Sequence, residues 1–234
     1  MANKQKVEAR EKARQKQKTE KTIMYVGIAV IVLVILGVAW ALWPESTTRE
    51  AVAPTDANAV DPFSSGKQYD AYPPMTIDTS KEYFATFKMA NGGEFTVQLF
   101  PDKAPKTVNS FVFLAKDKFY DGTTFHRVLE GFMAQGGDPT GTGGGGPGYE
   151  FENEDSDLKF DKAGVMAMAN AGRDTNGSQF FITFGPASFL DGGYTIFGQV
   201  IEGMDVVNNI TRRDPEQNPT FTGDVIESIT ITEQ

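Results

Sequence analysis

Between Phe125 and Asp138 the chain reads FHRVLEGFMAQGGD. The stretch holds the only histidine, His126, with Arg127 directly after it. Phe132, Met133 and Gln135 follow, spaced so that these side chains can alternate across one strand. A guanidinium, an amide and two large apolar groups this close together suit a shallow pocket, greasy on its floor and carrying a few oriented donors at its rim. Taken alone, the stretch would also fit a half-buried strand with a snorkelling arginine. A second segment, MANAGRDTNGSQFFITFGP from Met168 to Pro186, supplies the other half of such a pocket. Ala169, Asn170 and Ala171 can present an extended backbone edge to a peptide, and their small side chains leave room for its residues. Asn170 and Gln179 add amide donors and acceptors, and Phe181 adds an aromatic wall, whereas Asn176-Gly177 reads as a turn.

Several other chemistries are excluded. There is no cysteine, which removes disulfides, thiolate chemistry and cysteine-ligated zinc, and one histidine cannot make a multi-histidine metal site. No cofactor or metal is expected. The loop GTGGGGPG, Gly141 to Gly148, formally satisfies the GxGxxG pattern through Gly141, Gly143 and Gly146. It lacks both the following helix start and the lysine of a phosphate loop, so it reads as a turning or flexible loop. No GxSxG elbow accompanies His126, and Ser178 falls within the groove-wall segment. Glu152 and Glu154 lie in an acidic run, Glu150 to Asp161, that reads as solvated surface.

The elements that must position these residues begin after a long leader. Residues 1–22 carry eight Lys/Arg against three Asp/Glu, a basic tail expected to lie in the cytoplasm. Ile23 to Trp43, IMYVGIAVIVLVILGVAWALW, has no charged or amide side chain. Roughly 20 apolar residues suffice to cross a bilayer as one helix, and Tyr25, Trp40 and Trp43 sit near its ends, where aromatic rings favour the interface. The expectation is an uncleaved signal-anchor, with the basic side inside and Pro44 onward exported. Secretion after cleavage near Ala41, at Ala39-Trp40-Ala41, is the alternative. Residues 44–74, rich in proline and small polar residues, read as a flexible linker. The body beyond residue 22 carries 14 Lys/Arg against 28 Asp/Glu, which argues against nucleic acid as a partner.

Residues 75–234 read as one mainly β domain. Tyr83 to Met89 and Glu94 to Phe100 flank Asn91-Gly92-Gly93, a hairpin signal. A helical pattern opens at Ala104-Pro105 and runs to Lys116, and a second helix is expected at Met204 to Ile210. Further strands are expected at Thr124 to Arg127, Phe132 to Gln135, Gly164 to Met168, Phe180 to Thr183, Thr195 to Val200 and Val225 to Ile231. Many short strands with two helices point to a closed barrel capped by helices.

On these motifs the domain resembles the cyclophilins, the peptidyl-prolyl cis-trans isomerases. Phe125-His126-Arg127-Val128, Gly131 to Asp138, Met168 to Gly172, Thr175 to Ile182 and Phe197-Gly198 match that family's pattern in order. The resemblance spans about Glu82 to Thr232 and leaves out the anchor and linker. It implies an eight-stranded antiparallel barrel with a helix over each end, a monomeric catalytic domain, and proline-containing polypeptides as clients. It further implies that Arg127 is the catalytic arginine and that Phe132, Met133, Phe181 and Leu190 form the proline socket. Gln135, Ala169, Asn170, Ala171 and Gln179 would line the peptide groove, with His126 bordering it. Two positions depart from the best-known members: Phe189 replaces a tryptophan at the groove edge, which argues against tight cyclosporin binding, and Tyr194 replaces a histidine in the socket. With an anchor and no cysteine, the whole chain reads as a bacterial envelope isomerase acting on exported proteins. A membrane-tethered proline-binding scaffold or chaperone is the alternative function.

Overall fold

Tyr83, Ala85, Phe87 and Met89 alternate inward along Tyr83–Met89 (β1), as do Phe95, Val97 and Leu99 along Glu94–Leu99 (β2). The register sets Phe87 directly opposite Phe95, and their rings stack 4.5 Å apart. The intervening turn follows the glycine signal: Gly92 has φ 89°, and Asn91 Oδ1 accepts the Gly93 N–H at 3.0 Å. This hairpin belongs to a computed structural model that describes residues 67–234.

The other strands are Arg127–Leu129 (β3), Met133–Gly136 (β4), Val165–Met168 (β5), Phe180–Thr183 (β6), Ile196–Glu202 (β7) and Ile226–Glu233 (β8). All eight join one antiparallel sheet in the order β3-β4-β6-β5-β7-β2-β1-β8. The expected closed barrel is corrected here, because no ladder joins the edge strands β3 and β8. β3 is only three residues long and exchanges its outer bonds with Arg213, Val128 N to Arg213 O at 2.7 Å and Arg213 N to Val128 O at 2.9 Å. The start of β8 is met by the segment before β3, through Ile226 N to Thr123 O at 2.8 Å and Phe125 N to Asp224 O at 2.9 Å. Irregular chain therefore meets β3 and the start of β8, and the sheet forms a half-barrel rather than closing on itself.

The two expected helices form at Pro105–Lys116 (α1) and Met204–Asn208 (α2), the second stopping two residues short of Ile210. Ala104 gives α1 no side-chain cap. Its free N–H groups are met instead by Glu154, whose carboxylate accepts from Lys106 N at 2.9 Å and Thr107 N at 2.8 Å. The acidic run is thus more than a solvated surface. Phe111 of α1 faces Phe87, Phe180 and Phe197 in an interior that also holds Tyr120 and Phe125. Each such ring contributes about 2–3 kcal/mol of burial, which makes this aromatic cluster the rigid backing of the sheet.

Residues 67–74, at the end of the stretch read as linker, carry no helix or strand but lie packed on the domain, with Tyr69 against Phe113, Phe119 and Tyr149, and Tyr72 against Tyr149 and Phe151. Among the described residues no helix is long and apolar enough to cross a membrane, and the expected tail and anchor at 1–22 and 23–43 lie outside them.

Candidate active site

Antiparallel register builds the site. Arg127 of β3 faces Gln135 of β4, Gln135 faces Phe181 of β6, and Phe181 faces Ala167 of β5. These four residues form one row across one face of the sheet. Two positions along on the same face, Leu129 faces Met133 and Met133 faces Thr183. The opposite face carries Val128, Ala134, Ile182 and Met166 into the aromatic interior. One register thus separates the structural core from an outer face where arginine, amide and apolar groups meet.

That outer face has its own apolar cluster. Met133, Phe181 and Leu190 are buried in it together with Phe160, and Phe132 and Tyr194 pack against it half-buried. Phe160 stacks on Phe181 at 5.8 Å and Tyr194 meets Phe181 edge-on at 5.4 Å, which fixes the ring on two sides. Phe189 is 75 % exposed at the rim, 5.5 Å from the Phe132 ring. Leu190 is presented by a 3-10 turn, Ser188–Leu190, that the sequence periodicity did not signal.

Arg127 stands half-buried above this floor. Its Nη1 lies 3.9 Å from Met133 Sδ, and among the described residues no carboxylate pairs with it. A guanidinium beside apolar walls, with its remaining donors uncommitted, can donate to a group brought into the socket.

The groove continues past Gln135. Its Nε2 donates to Gln179 Oε1 at 2.9 Å, and Gln179 Nε2 in turn donates to the carbonyls of Gly143 (2.9 Å) and Gly145 (2.8 Å). The two glutamines therefore tie the groove floor to the glycine-rich loop. On the loop's other side Asp138 accepts from Thr140 N (2.7 Å), Thr140 Oγ1 (2.8 Å) and Gly143 N (2.5 Å). Burial alone would raise the Asp138 pKa, but these donors outweigh it and hold the carboxyl below its usual value. A Cβ on Gly145 would collide with this carboxylate, which is why the loop needs glycine there.

Along 169–171, Ala169 N donates to Gln179 O at 2.9 Å and Ala171 N to Thr175 Oγ1 at 3.0 Å. The Asn170 N–H is left without a partner among the described residues, while the Asn170 side chain holds Gly172 N at 3.2 Å. The edge offered to a peptide is thus narrower than three consecutive residues. His126 is 2 % exposed beneath the loop, with its ring beside Gly143 and neither ring nitrogen hydrogen-bonded among the described residues. Burial lowers its pKa against the opposing pull of Asp138, so the ring is neutral near pH 7. It backs the groove from below rather than lining its open surface.

Asn176 and Ser178 are structural. Asn176 is fully buried and donates to Phe151 O (3.2 Å) and Asn153 Oδ1 (2.9 Å), and Ser178 Oγ donates to Gly137 O at 2.7 Å. Among the described residues no group of three or more histidine or acidic side chains is set to hold a metal ion.

The sequence pattern missed Phe160, Gln68 and Glu150. Phe160 and Leu158 are the large apolar residues at the end of the acidic run, and their spacing of two could have marked them as inward-facing.

Residues 84–232, well over half of the chain, match the family model described as "Cyclophilin type peptidyl-prolyl cis-trans isomerase/CLD". The chain belongs to the cyclophilin-type peptidyl-prolyl cis-trans isomerases. This cyclophilin domain is 49 % identical over 144 residues to "Peptidyl-prolyl cis-trans isomerase-like 1" of Mus musculus, a match covering 60 % of this chain and 84 % of the relative. Over 145 residues it is 45 % identical to "Peptidyl-prolyl cis-trans isomerase ppi1" of Schizosaccharomyces pombe, covering 59 % of this chain and 94 % of that one. Its fold is shared by a cyclophilin type peptidyl-prolyl cis-trans isomerase from Cryptosporidium parvum, at TM-score 0.59 and 35 % identity over 65 % of this chain and 99 % of that chain. The same Cryptosporidium enzyme has been crystallised in the presence of the dipeptide Ala-Pro, and that structure matches at TM-score 0.59 and 36 % identity over 64 % of this chain and 99 % of its own. These relatives are eukaryotic and lend no support to a bacterial source for the cyclophilin domain.

Proposed function

We propose that the domain accelerates rotation about Xaa-Pro bonds without covalent chemistry, with Arg127 stabilising the twisted imide. Such a bond prefers trans by only ~0.5–1 kcal/mol, yet rotation must cross a barrier of ~18–20 kcal/mol because it breaks amide resonance. When the bond twists, the prolyl nitrogen regains its lone pair. A donor aimed at that nitrogen binds the twisted form better than either planar form, which is the condition for catalysis. The observation that carries this reading is the cross-strand row Arg127, Gln135, Phe181, in which Arg127 has no carboxylate partner among the described residues.

The proline ring would enter the socket of Phe132, Met133, Phe181 and Leu190, where burial excludes water. Gln135 and the Asn170 edge would hold one side of the bond while the other turns. The structure obtained with Ala-Pro for the Cryptosporidium relative supports a proline-containing ligand. The test is isomerisation of a proline peptide by the purified full chain. Turnover above the uncatalysed rate is expected; peptide binding without turnover would leave only a proline-binding scaffold.

The clients are further proposed to be exported proteins folding near a membrane, with residues 23–43 as the anchor and the catalytic domain outside the cytoplasm. The uninterrupted apolar run after a basic tail supports this. Protease added to intact cells expressing the full chain should remove the domain; protection until the cells are lysed would contradict it.

A further inference from the structure

Beyond Gln135 and Gln179 the groove opens into a cavity of about 720 Å³. The glycine-rich loop forms one wall and residues 169–171 the other. The lining also includes Gln68, from the segment ahead of the family-matching region, and Glu150, at the head of the acidic run.

Residues 67–74 lie along the domain as a strap. Tyr69 N donates to Pro147 O and Gln68 Nε2 to Gly146 O, both at 2.9 Å, so the strap holds the glycine-rich loop from outside. Its own attachment is deep. The Tyr69 ring meets Phe113 edge-on at 5.1 Å, its hydroxyl donates to Asp117 at 2.7 Å, and the Tyr72 hydroxyl donates to Lys106 O at 2.6 Å. A Cβ on Gly148 would strike the Tyr69 backbone, so loop and strap are fitted to each other. With Asp138 and Gln179 also bonded to it, the loop is held at three places.

The charge at this cavity is acidic. Along the run from Glu150, the carboxylates of Glu152, Asp155 and Asp157 pair with Lys106, Arg173 and Lys103, and Glu154 caps α1. Glu150, the member that lines the cavity, has neither ion pair nor hydrogen bond among the described residues. Residues 67–234 carry 13 Lys/Arg against 24 Asp/Glu, so the surrounding field favours a cation as well.

We propose that the strap completes the substrate groove of this chain, and that Gln68 and Glu150 form a chamber selecting clients with a basic side chain close to the proline. This rests on the isomerase reading above. Gln68, whose Nε2 donates to Lys67 O and Gly146 O, offers its Oε1 to a peptide N–H, Glu150 supplies the charge, and Tyr69 is a positioning residue that keeps the loop in place.

The test walks a single Lys or Glu through a proline peptide, from three residues before the proline to two after it, and measures kcat/KM for the full chain. At one position Lys should be favoured over Glu by roughly 3- to 5-fold, the size expected for a solvent-accessible ion pair, and the preference should shrink in high salt. Glu150→Gln should bring that ratio close to one, and Gln68→Ala should reduce it. Tyr69→Ala should speed amide hydrogen exchange across 143–148, which separates loop positioning from charge. If no position shows a preference, or if the preference survives Glu150→Gln, the chamber does not select basic clients, although the isomerase reading stands. If no peptide in the series is turned over, it is the isomerase reading that fails.

Discussion

Arg127 and Gln135 are direct cross-strand partners on β3 and β4, their side chains on the face of the sheet that carries Met133 and Phe181. The pairing matters because the two groups divide the work. Gln135 is committed to Gln179 and through it to the glycine-rich loop, while the Arg127 side chain has a polar contact to the Met133 sulfur and no carboxylate partner among the described residues. One donor is anchored, and in the proposed mechanism the other serves the substrate.

Gln135→Ala should therefore loosen substrate without disturbing the core, since Gln135 is only half-buried. A loss of about 10-fold in kcat/KM for an Ala-Pro peptide is expected, in line with one hydrogen bond, with little change in Tm. Gln135→Glu should also lose the donated bond to Gln179 and release the loop, which would appear as faster amide exchange across 141–146.

Phe181 serves both floor and stability. It is buried between Phe160 and Tyr194, so Phe181→Ala should cost about 3–5 kcal/mol in a denaturant titration and abolish turnover. Phe181→Leu keeps most of the volume and should recover the greater part of the stability while remaining slow, because the flat wall against the proline ring is lost.

Gly145→Ala places a methyl group against the Asp138 carboxylate. The loop must shift, the bonds from Gln179 to the Gly143 and Gly145 carbonyls must lengthen, and kcat/KM should fall several-fold with a modest loss of stability. Gly146→Ala, where a Cβ would meet nothing within 4 Å, is the control and should be close to wild type.

Acid should weaken the domain in two steps. The folded pKa of His126 lies below the usual 6.5, so as pH falls below that value the unfolded chain takes up a proton that the folded one refuses, and stability declines until the folded pKa is passed. Asp138, held below the usual 3.8, contributes stability that is present above that value and lost as pH falls through its folded pKa. Tm measured from pH 8 to pH 3 should show both declines, and His126→Gln should remove the first while keeping the second.

Much of this was legible in the amino-acid order, and the exceptions have physical causes. Phe180–Thr183 and Tyr83–Met89 form where alternation and β-branched or aromatic content place them. The strand expected from Thr124 instead begins at Arg127, because Thr124 bridges to Asp138 and Val225 in isolation, without a continuous ladder. Closure of the barrel failed for a related reason. Strand count says nothing about whether the last two edges meet, and here Arg213 and the 122–125 segment cover them. Gln68 and Tyr69 read as linker in the sequence because prolines and small residues dominate their surroundings. The signal against that was the pair of tyrosines, Tyr69 and Tyr72, whose rings need a surface to cover. His126 adjoins Arg127 in sequence but precedes the strand that begins at Arg127, and it is buried beside Gly143 where Arg127 is half-buried.

In the proposed mechanism the Arg127 guanidinium stabilises the twisted bond. Its most direct test is kcat/KM of the full chain for an Ala-Pro peptide in wild type, Arg127→Lys and Arg127→Ala, with circular dichroism confirming that each variant is folded. Removing a donor that acts only at the transition state should cost about 100- to 1,000-fold in Arg127→Ala, with Arg127→Lys recovering little because an ammonium lacks the planar fork. A folded Arg127→Ala protein that turns over peptide within about threefold of wild type would contradict the account.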